Sequence, residues 1–252
     1  MRAPLILLAV FIILVILAPL IAPSDPTHTD PVNQLQPPSA EHLLGTDLLG
    51  RDVLSRALYG GQHTLLIAGL ATLIAVVPGV ALGLLSAVAD KLTSLLINAV
   101  LAFPGLLLAL VILTVLGQGA LPLALATGLI QIAPCARVTR AAVISVSVTG
   151  YVEAARGLGA SELRVILRHI LPNVLSTLLA YTAVIFAYAI LNSAALSFLG
   201  LGGEPGIPDW GVMLYEGRQA FRLAPWIGAA PGVAITLTVI LLNRAADAIH
   251  HP

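Results

Sequence analysis

Residue types that could carry catalysis are scarce in this sequence of 252 residues. Its one lysine, Lys91, lies in no Gly-Lys-Ser/Thr loop of the kind that cradles nucleotide phosphates. Its one cysteine, Cys135, excludes an internal disulfide and has no second cysteine with which to share a metal. The histidines include no His-Glu-x-x-His pair, the spacing of a zinc protease. The sequence therefore excludes an ATPase and gives no support to hydrolytic or metal chemistry.

Charged residues concentrate instead in segment 150–173, whose pattern predicts two short helices around a turn. Good helix formers run over 151–158, and an acid near their start suits the helix dipole. Gly159 permits a turn that other residues resist. A second, amphipathic helix is expected from Ser161, as its cap, to Pro172. Such a short basic helix indicates a protrusion that docks on another protein, and a helix lying on a membrane surface is the alternative.

A second polar segment combines acids and arginines with glycines, which allow tight bends. Asp47, Arg51 and Asp52 predict a salt-bridged turn that packs a loop down. A structural role is the simpler interpretation, and lining an entry for a solute is the alternative. The expected structural motif consists of Gly45, Thr46, Asp47, Gly50, Arg51 and Asp52.

Composition indicates what surrounds these polar segments. Hydrophobic residues make up 58% of the chain and charged residues 10%, and the mean hydropathy is +1.00. A soluble domain carries roughly 25% charged residues. Most of the surface must therefore face something other than water, which predicts a polytopic membrane protein. The net charge is zero, so no overall field would attract nucleic acid.

Six apolar stretches are long enough to cross a bilayer, which takes about 20 residues with a range of roughly 17–25. They lack the alternation at every second residue that β-barrel strands show. We therefore predict an all-α fold with six transmembrane helices near 5–21, 64–88, 94–116, 121–138, 174–198 and 226–242. The first stretch is longer than the apolar part of a typical cleaved signal peptide, which is the alternative for that stretch.

The basic residues predict the orientation of these helices. With the N-terminus in the cytoplasm, eight of the 12 basic residues fall inside and four outside, as the positive-inside rule requires. Both termini are then cytoplasmic, segments 22–63 and 199–225 are outer loops, and 139–173 is the long cytoplasmic loop. The inner basic residues are Arg2, Lys91, Arg137, Arg140, Arg156, Arg164, Arg168 and Arg244, and the outer ones are Arg51, Arg56, Arg218 and Arg222.

The charged segment at 150–173 resembles the EAA loop of ABC importer permeases. The resemblance consists of Glu153-Ala154-Ala155, Gly159 after three further residues, and a stretch that ends at Leu171-Pro172. Segments 44–56 and 197–214 resemble the corresponding segments of dipeptide, oligopeptide and nickel permeases. The chain is thus similar, along nearly its whole length, to the second or "C-type" permease of such systems, with the type I ABC importer permease fold.

This resemblance implies a transport subunit that forms half of a translocation pathway and has no catalytic residues. The implied partners are a second homologous permease subunit, two ATP-binding cassette ATPase subunits, an external substrate-binding protein and the lipid bilayer. No cofactor is expected on this chain, and ATP and Mg belong to the partner ATPases. The implied ATPase-coupling residues are Glu153, Ala154, Ala155, Arg156, Gly159, Ala160, Leu171 and Pro172. We expect Glu153 to fix the loop by bonding a backbone amide or an arginine such as Arg156.

The resemblance also implies a division of the chain and a cellular location. The first helix and outer loop occupy 1–63, a permease core with the coupling loop 150–173 occupies 64–246, and a short cytoplasmic tail occupies 247–252. The expected location is a bacterial or archaeal cytoplasmic (inner) membrane.

The substrate stays open between peptides and nickel or a nickel chelate, because the outer histidines are too scattered to distinguish them. A passive channel and an intramembrane enzyme are the alternative functions. The predicted spans hold few ionisable residues and no evident ion filter, which counts against both.

Overall fold

The computed structural model describes residues 3–204 and 206–250. Two predicted features fall partly outside this range, namely Arg2 in the inner basic set and the last two residues of the tail 247–252. Within the described ranges the chain forms α-helices, one 3-10 turn and one π-helical segment, and no strand beyond an isolated bridge between Thr46 and Asp52. The all-α prediction is confirmed.

The helices follow one another with few long connections. The described helices are α1 (Ala3–Ile16), α2 (Ala18–Ile21), α3 (Val53–Leu84), α4 (Ser86–Leu101), α5 (Gly105–Leu116), α6 (Ala120–Ser147), α7 (Gly150–Gly157), α8 (Glu162–Val165), α9 (Leu171–Phe198), α10 (Trp210–Gly217) and α11 (Trp226–His250). The 3-10 turn is Pro31–Asn33, and the π-helical segment is Ile166–Ile170.

Four helical stretches are long and apolar enough to cross a membrane unbroken. They are Val53–Leu84, Ala120–Ser147, Glu162–Phe198 and Trp226–Ala248. Helices α4 and α5 meet this test only together, and they are bent by 72° with respect to each other. The apolar helix Pro4–Ile16 is shorter than the others. Four spans, or five with the bent pair, are therefore present by length and composition, and the number six stays a prediction.

The bend between α4 and α5 has a local cause at Pro104. This residue takes an extended conformation at the N-cap of α5, with φ −61° and ψ 117°. A proline also disfavours helical geometry in the residue before it, here Phe103. The predicted third span, near 94–116, is therefore a broken helix rather than a straight one.

Close helix packing in the centre of the fold depends on small residues. On α6, a Cβ added at Gly128 would lie 2.7 Å from the carbonyl oxygen of Ala71 on α3. On α3, a Cβ at Gly79 would lie 2.7 Å from the Cβ of Cys135 on α6. Small residues of this kind let membrane helices approach closely. Cys135 is buried at this contact, in keeping with its interpretation as a small apolar residue.

The amphipathic helix predicted between Ser161 and Pro172 differs from the structure at both ends. Ser161 occupies the N-cap position of α8, but its side chain makes no capping hydrogen bond. The helix also does not stop at Pro172, because the π-helical segment carries it directly into α9. Pro172 lies in the first turn of α9, where a missing N–H is tolerated. The predicted helix is therefore the extension of a membrane span.

Candidate functional site

The turn between α7 and α8 is closed by two backbone hydrogen bonds. The Ala160 N–H donates to the Ala155 carbonyl at 3.1 Å, and the Gly159 N–H donates to the Arg156 carbonyl at 2.9 Å. This pair of bonds is a Schellman motif, which needs a left-handed residue after the helix. Gly159 supplies it with φ +82°. The glycine and alanines singled out in the sequence therefore belong to one helix-ending turn.

The loop rests on its own small hydrophobic core beneath α7 and α8. Fully buried Val152 of α7 and Val165 of α8 pack there with Val143 of α6. Ala155 and Ala160 pack against the same cluster, and so does Leu171. These three coupling-loop residues therefore support the loop from inside. The exposed members of the predicted set are Glu153, Ala154, Gly159 and Pro172.

The exposed face of loop 150–173 carries large apolar side chains that nothing in the described chain covers. Leu158 is 89% exposed, Leu163 67%, Leu167 55% and Tyr151 47%. Exposed apolar patches of this kind mark interaction sites. We call these four residues the apolar docking face. The sequence pattern of segment 150–173 indicates a docking helix, but not which of its side chains are exposed.

Glu153 does not make the bond predicted for it. In the described part of the chain its carboxylate has no hydrogen-bond partner. Arg156 pairs instead with Glu162, whose Oε1 lies 3.0 Å from the arginine Nε. Arg156 Nη1 also donates to the Ser147 carbonyl at 3.3 Å. The turn at Gly159 brings Glu162 back toward α7, where it takes the partner expected for Glu153.

The outer polar segment forms a buried ion-pair cluster with a residue that the sequence did not indicate. Arg51 donates from Nε to Asp47 Oδ2 at 2.7 Å and from Nη2 to Glu216 Oε2 at 2.9 Å. Arg56 Nη1 binds the same two acids, at 2.7 Å from Glu216. We call Asp47, Arg51, Arg56 and Glu216 the outer cluster. It joins the outer loop, the start of α3 and α10.

Electrostatics keeps the acid at the centre of this cluster ionised. Burial alone would raise the pKa of Asp47, but the charges of Arg56 and Arg51 outweigh it and hold the pKa below its ordinary value. Backbone N–H groups of Leu49 and Arg51 donate to Asp47 Oδ1 at 2.8 and 3.0 Å. Asp47 is therefore ionised at neutral pH.

The rest of the outer motif shapes the chain around this cluster. Asp52 caps α3 by accepting a hydrogen bond from the Ser55 N–H at 2.7 Å. Gly45 and Gly50 have φ of +73° and +76°. A Cβ at Gly50 would lie 1.8 Å from the Asp30 carbonyl oxygen, so the turn excludes a side chain there. Thr46 Oγ1 donates to the Asn33 carbonyl, which ties the turn to the earlier part of the loop.

Helix α10 is attached to α3 by polar contacts that sequence reasoning also missed. The Trp210 N–H donates to Thr64 Oγ1 at 3.1 Å, and its ring Nε1 donates to the Ala57 carbonyl at 2.8 Å. Asp209 caps α10 by accepting from the Val212 N–H at 2.9 Å. Burial raises the pKa of Asp209 above its ordinary value, against the lowering effect of this hydrogen bonding. The segment 197–214 had indicated a family pattern but not these partners.

The described residues contain no group of three or more histidine, cysteine, aspartate or glutamate side chains that could hold a metal ion. Of the scattered histidines, His42 lies 3.0 Å from Asp52 through its Nδ1. The structure therefore assembles two arrangements of polar residues: the outer cluster, whose charges pair with one another, and the helical loop 150–173.

Comparison with family models matches nearly the whole chain. Residues 44–251 match the family described as binding-protein-dependent transport system inner membrane component. Residues 3–38 match the N-terminal transmembrane domain of oligopeptide transport permease C. The two matches cover both polar segments described above.

Individual relatives and a solved structure agree with this. A putative peptide transport system permease protein of Brucella suis biovar 1 is 40% identical and covers 98% of this chain and 85% of its own length. The dipeptide transport system permease protein DppC of Alkalihalophilus pseudofirmus is 38% identical, covering 97% and 82%. The glutathione transport system permease protein GsiD of Escherichia coli O1:K1 / APEC is 36% identical, covering 96% and 82%. The inward-facing MetNI methionine ABC transporter has a similar fold, with a TM-score of 0.63 at 19% identity over 78% of this chain and 95% of its own.

Proposed function

Since the chain belongs to the family of binding-protein-dependent transport system inner membrane components, we propose that it forms half of a peptide pathway whose ATPases dock on loop 150–173. It is a membrane-embedded, multi-pass ABC importer permease and a transport subunit rather than an enzyme, because ATP hydrolysis in this family belongs to separate subunits.

The observation that carries the docking proposal is the apolar docking face. The loop exposes Leu158 at the end of α7, Leu163 in α8 and Leu167 in the π-helical segment. Burying such side chains against a partner is favourable by roughly 1.5–3 kcal/mol each. The loop is also stiffened by the Schellman turn and its own core. A stiff, apolar projection suits a contact that must transmit movement.

Peptides are the proposed substrate class. The relatives that cover most of this chain are named as peptide, dipeptide and glutathione permeases. Nickel or a nickel chelate, the other class expected from the sequence, has no support in those names. The few charges within the spans suit a path that holds its cargo weakly and leaves selection to an external binding protein.

The proposed assembly contains a second, homologous permease, two ATPase subunits that carry ATP and Mg, and the external binding protein. This chain itself binds no cofactor in the proposal. The orientation places the outer cluster outside and loop 150–173 in the cytoplasm of a bacterial or archaeal inner membrane. It requires six spans with both termini inside, with α1 and α2 together as the first and the bent pair α4–α5 as the third.

A substitution at Gly159 tests the docking proposal. Gly159 has φ +82° and no atom within 4 Å of an added Cβ, so a side chain there would strain the turn and point outward. Gly117 has the same φ and the same open surroundings at the end of α5, far along the chain from the loop. Gly117 has ψ −170°, a region that glycine alone adopts readily. Gly117→Asp therefore strains the backbone at least as much as Gly159→Asp, for which the cost is about 1–3 kcal/mol, but at a non-docking position.

We expect Gly159→Asp to insert normally into the membrane and to abolish peptide uptake, either by releasing the ATPases or by uncoupling hydrolysis. Gly117→Asp should insert and transport. The measurements are uptake into vesicles and co-purification of the ATPases with the permease pair. Normal uptake by Gly159→Asp with a normally bound ATPase would refute the role proposed for the loop.

A further inference from the structure

Arg156 connects three separate elements at the cytoplasmic end of the fold. From its place in the last turn of α7, its Nε lies 3.0 and 3.3 Å from the two carboxylate oxygens of Glu162, the first residue of α8. Its Nη2 lies 3.2 Å from Glu162 Oε2. Its Nη1 donates to the carbonyl of Ser147, the last residue of α6. One guanidinium thus holds both helices of the coupling loop and the span before them.

We propose that Arg156 and Glu162 form a clasp that fixes α7 and α8 at a set angle to α6, so that movement of the loop is passed to the membrane span. This inference rests on the proposed docking role of loop 150–173. Arg156 acts here as a positioning residue, because its guanidinium bonds groups of this chain, Glu162 and the Ser147 carbonyl. Glu153, the acid of the Glu-Ala-Ala pattern, is exposed and takes no part in the clasp.

The connections on either side of α7 explain why a clasp is needed. Only two residues, 148–149, separate α6 from α7, and the capping hydroxyl expected at the start of α8 makes no bond. The ion pair between Arg156 and Glu162 does not supply that cap, but it ties the first residue of α8 to the last turn of α7. An acid in the first turn of α8 and a base in the last turn of α7 also complement the two helix dipoles. The ion pair therefore lies where both helix ends favour it.

An open cleft lies beside the clasp. The cleft has a volume of about 500 Å³ and runs between the α3–α4 turn, the end of α6 and the loop. Its lining includes Ser86, Ser147, Glu153, Arg156 and Glu162. The clasp therefore borders open space, while the hydrophobic core beneath α7 and α8 packs on α6 and on Leu84 and Ala87 of the α3–α4 turn.

The clasp is also too exposed to matter much for stability. The Arg156 and Glu162 side chains are 30% and 45% exposed, and such pairs contribute little to the free energy of unfolding. Losing the pair should therefore leave the folded chain and its bound ATPases in place while changing how the loop is held. A loss of coupling with an intact fold and bound ATPases therefore distinguishes a positioning role from a merely structural one.

The test uses the complete transporter in vesicles and measures peptide molecules imported per ATP hydrolysed. Arg156→Gln and Glu162→Gln should each lower this ratio by at least about fivefold, the lower end of typical coupling effects. The double variant Arg156→Gln/Glu162→Gln should be no worse than either single one, because both remove the same interaction. Arg156→Lys should recover only part of the ratio, since an ammonium cannot make the forked bond. ATPase co-purification should be normal throughout.

Two control variants accompany these. Ser161→Ala lies in the same loop at a side chain without a capping bond, and Arg222→Gln removes an exposed arginine from the outer side. Both should keep the wild-type ratio. The clasp would be refuted by an unchanged ratio of peptide imported to ATP hydrolysed, by additive losses in the double variant, or by loss of the ATPases from Arg156→Gln. If Gly159→Asp is uncoupled in the same assay, the docking role of the loop is still supported. Normal coupling in Gly159→Asp as well would overturn the docking role itself, and the clasp with it.

Discussion

Replacing Asp47 should destabilise the chain more than any exposed change in the same outer loop. Asp47 is 1% exposed and accepts four hydrogen bonds, two from backbone N–H groups and two from Arg51 and Arg56. Asp47→Ala leaves two buried guanidinium groups, 8% and 2% exposed by residue, to share the single acid Glu216. Removing one partner of a buried pair typically costs about 3–5 kcal/mol. We expect a loss of that size.

Asp47→Asn separates charge from shape in the same site. The amide keeps the size of the carboxylate, but one of its two oxygens becomes an NH₂ group. That group must face either the backbone donors of Leu49 and Arg51 or the two guanidinium groups, so donors meet donors in both orientations. The Asn variant should therefore lose most of the stability that the Ala variant loses. Asp25→Ala is the control, because Asp25 bonds only the exposed Thr27 beside it.

The measurement is the unfolding transition of the detergent-solubilised chain, followed between pH 5 and 8. Arg56 and Arg51 hold the pKa of Asp47 below its ordinary value, so its contribution is present above the unfolded pKa of about 3.9 and is lost only as pH falls through the lower folded pKa. The gap between wild type and Asp47→Ala should therefore stay constant over this range. A gap no larger than that of Asp25→Ala would refute the reasoning.

Two further predictions concern the outer side. Because burial raises the pKa of Asp209, the protonated side chain stabilises the folded chain at low pH. This stabilisation is lost as pH rises through the pKa of Asp209 in the folded chain. Asp209→Asn should therefore be at least as stable as wild type at pH 7. Asp209→Ala should lose the cap on α10 and with it about 1 kcal/mol of stability. Thermal unfolding of both variants and wild type, at pH 5 and at pH 8, tests this. An impermeant thiol reagent applied from outside should label cysteines introduced near Thr29 and Gly206 but not near Gly159, and external labelling at Gly159 would contradict the orientation.

The helical framework could be predicted from the sequence because it depends on length and hydropathy, both of which are local. Each predicted span coincides with a helix or a helix pair, and the errors lie at the ends. Helix α3 starts at Val53 rather than Thr64, since Asp52 caps it well outside the apolar stretch. The break at Pro104 was visible as a proline, but not its 72° bend, which depends on the packing of both halves.

The partners within the polar segments were harder to predict, because they depend on tertiary distance. Arg51 and Glu216 are separated by 165 positions, and no local pattern connects them. Arg156 had two acids within reach in sequence, Glu153 and Glu162, and only the geometry of the turn decides between them. A helical spacing rule favours Glu153, three residues away. The left-handed Gly159 overrides it by folding the chain back on α7.

The two ionic arrangements differ in burial, and this difference suits opposite mechanical roles. In the outer cluster the arginines and Asp47 are nearly inaccessible, so breaking any pair strands a charge and the region should move as one body. In the clasp both partners are half-exposed, so water can replace either one at little cost. The outer cluster therefore suits a region whose helices keep their arrangement, whereas the clasp sets the angle of the loop without adding much to the stability of the fold. Exposing the outer cluster should therefore loosen the fold without any gain in coupling, whereas removing the clasp should lower coupling and leave the fold intact.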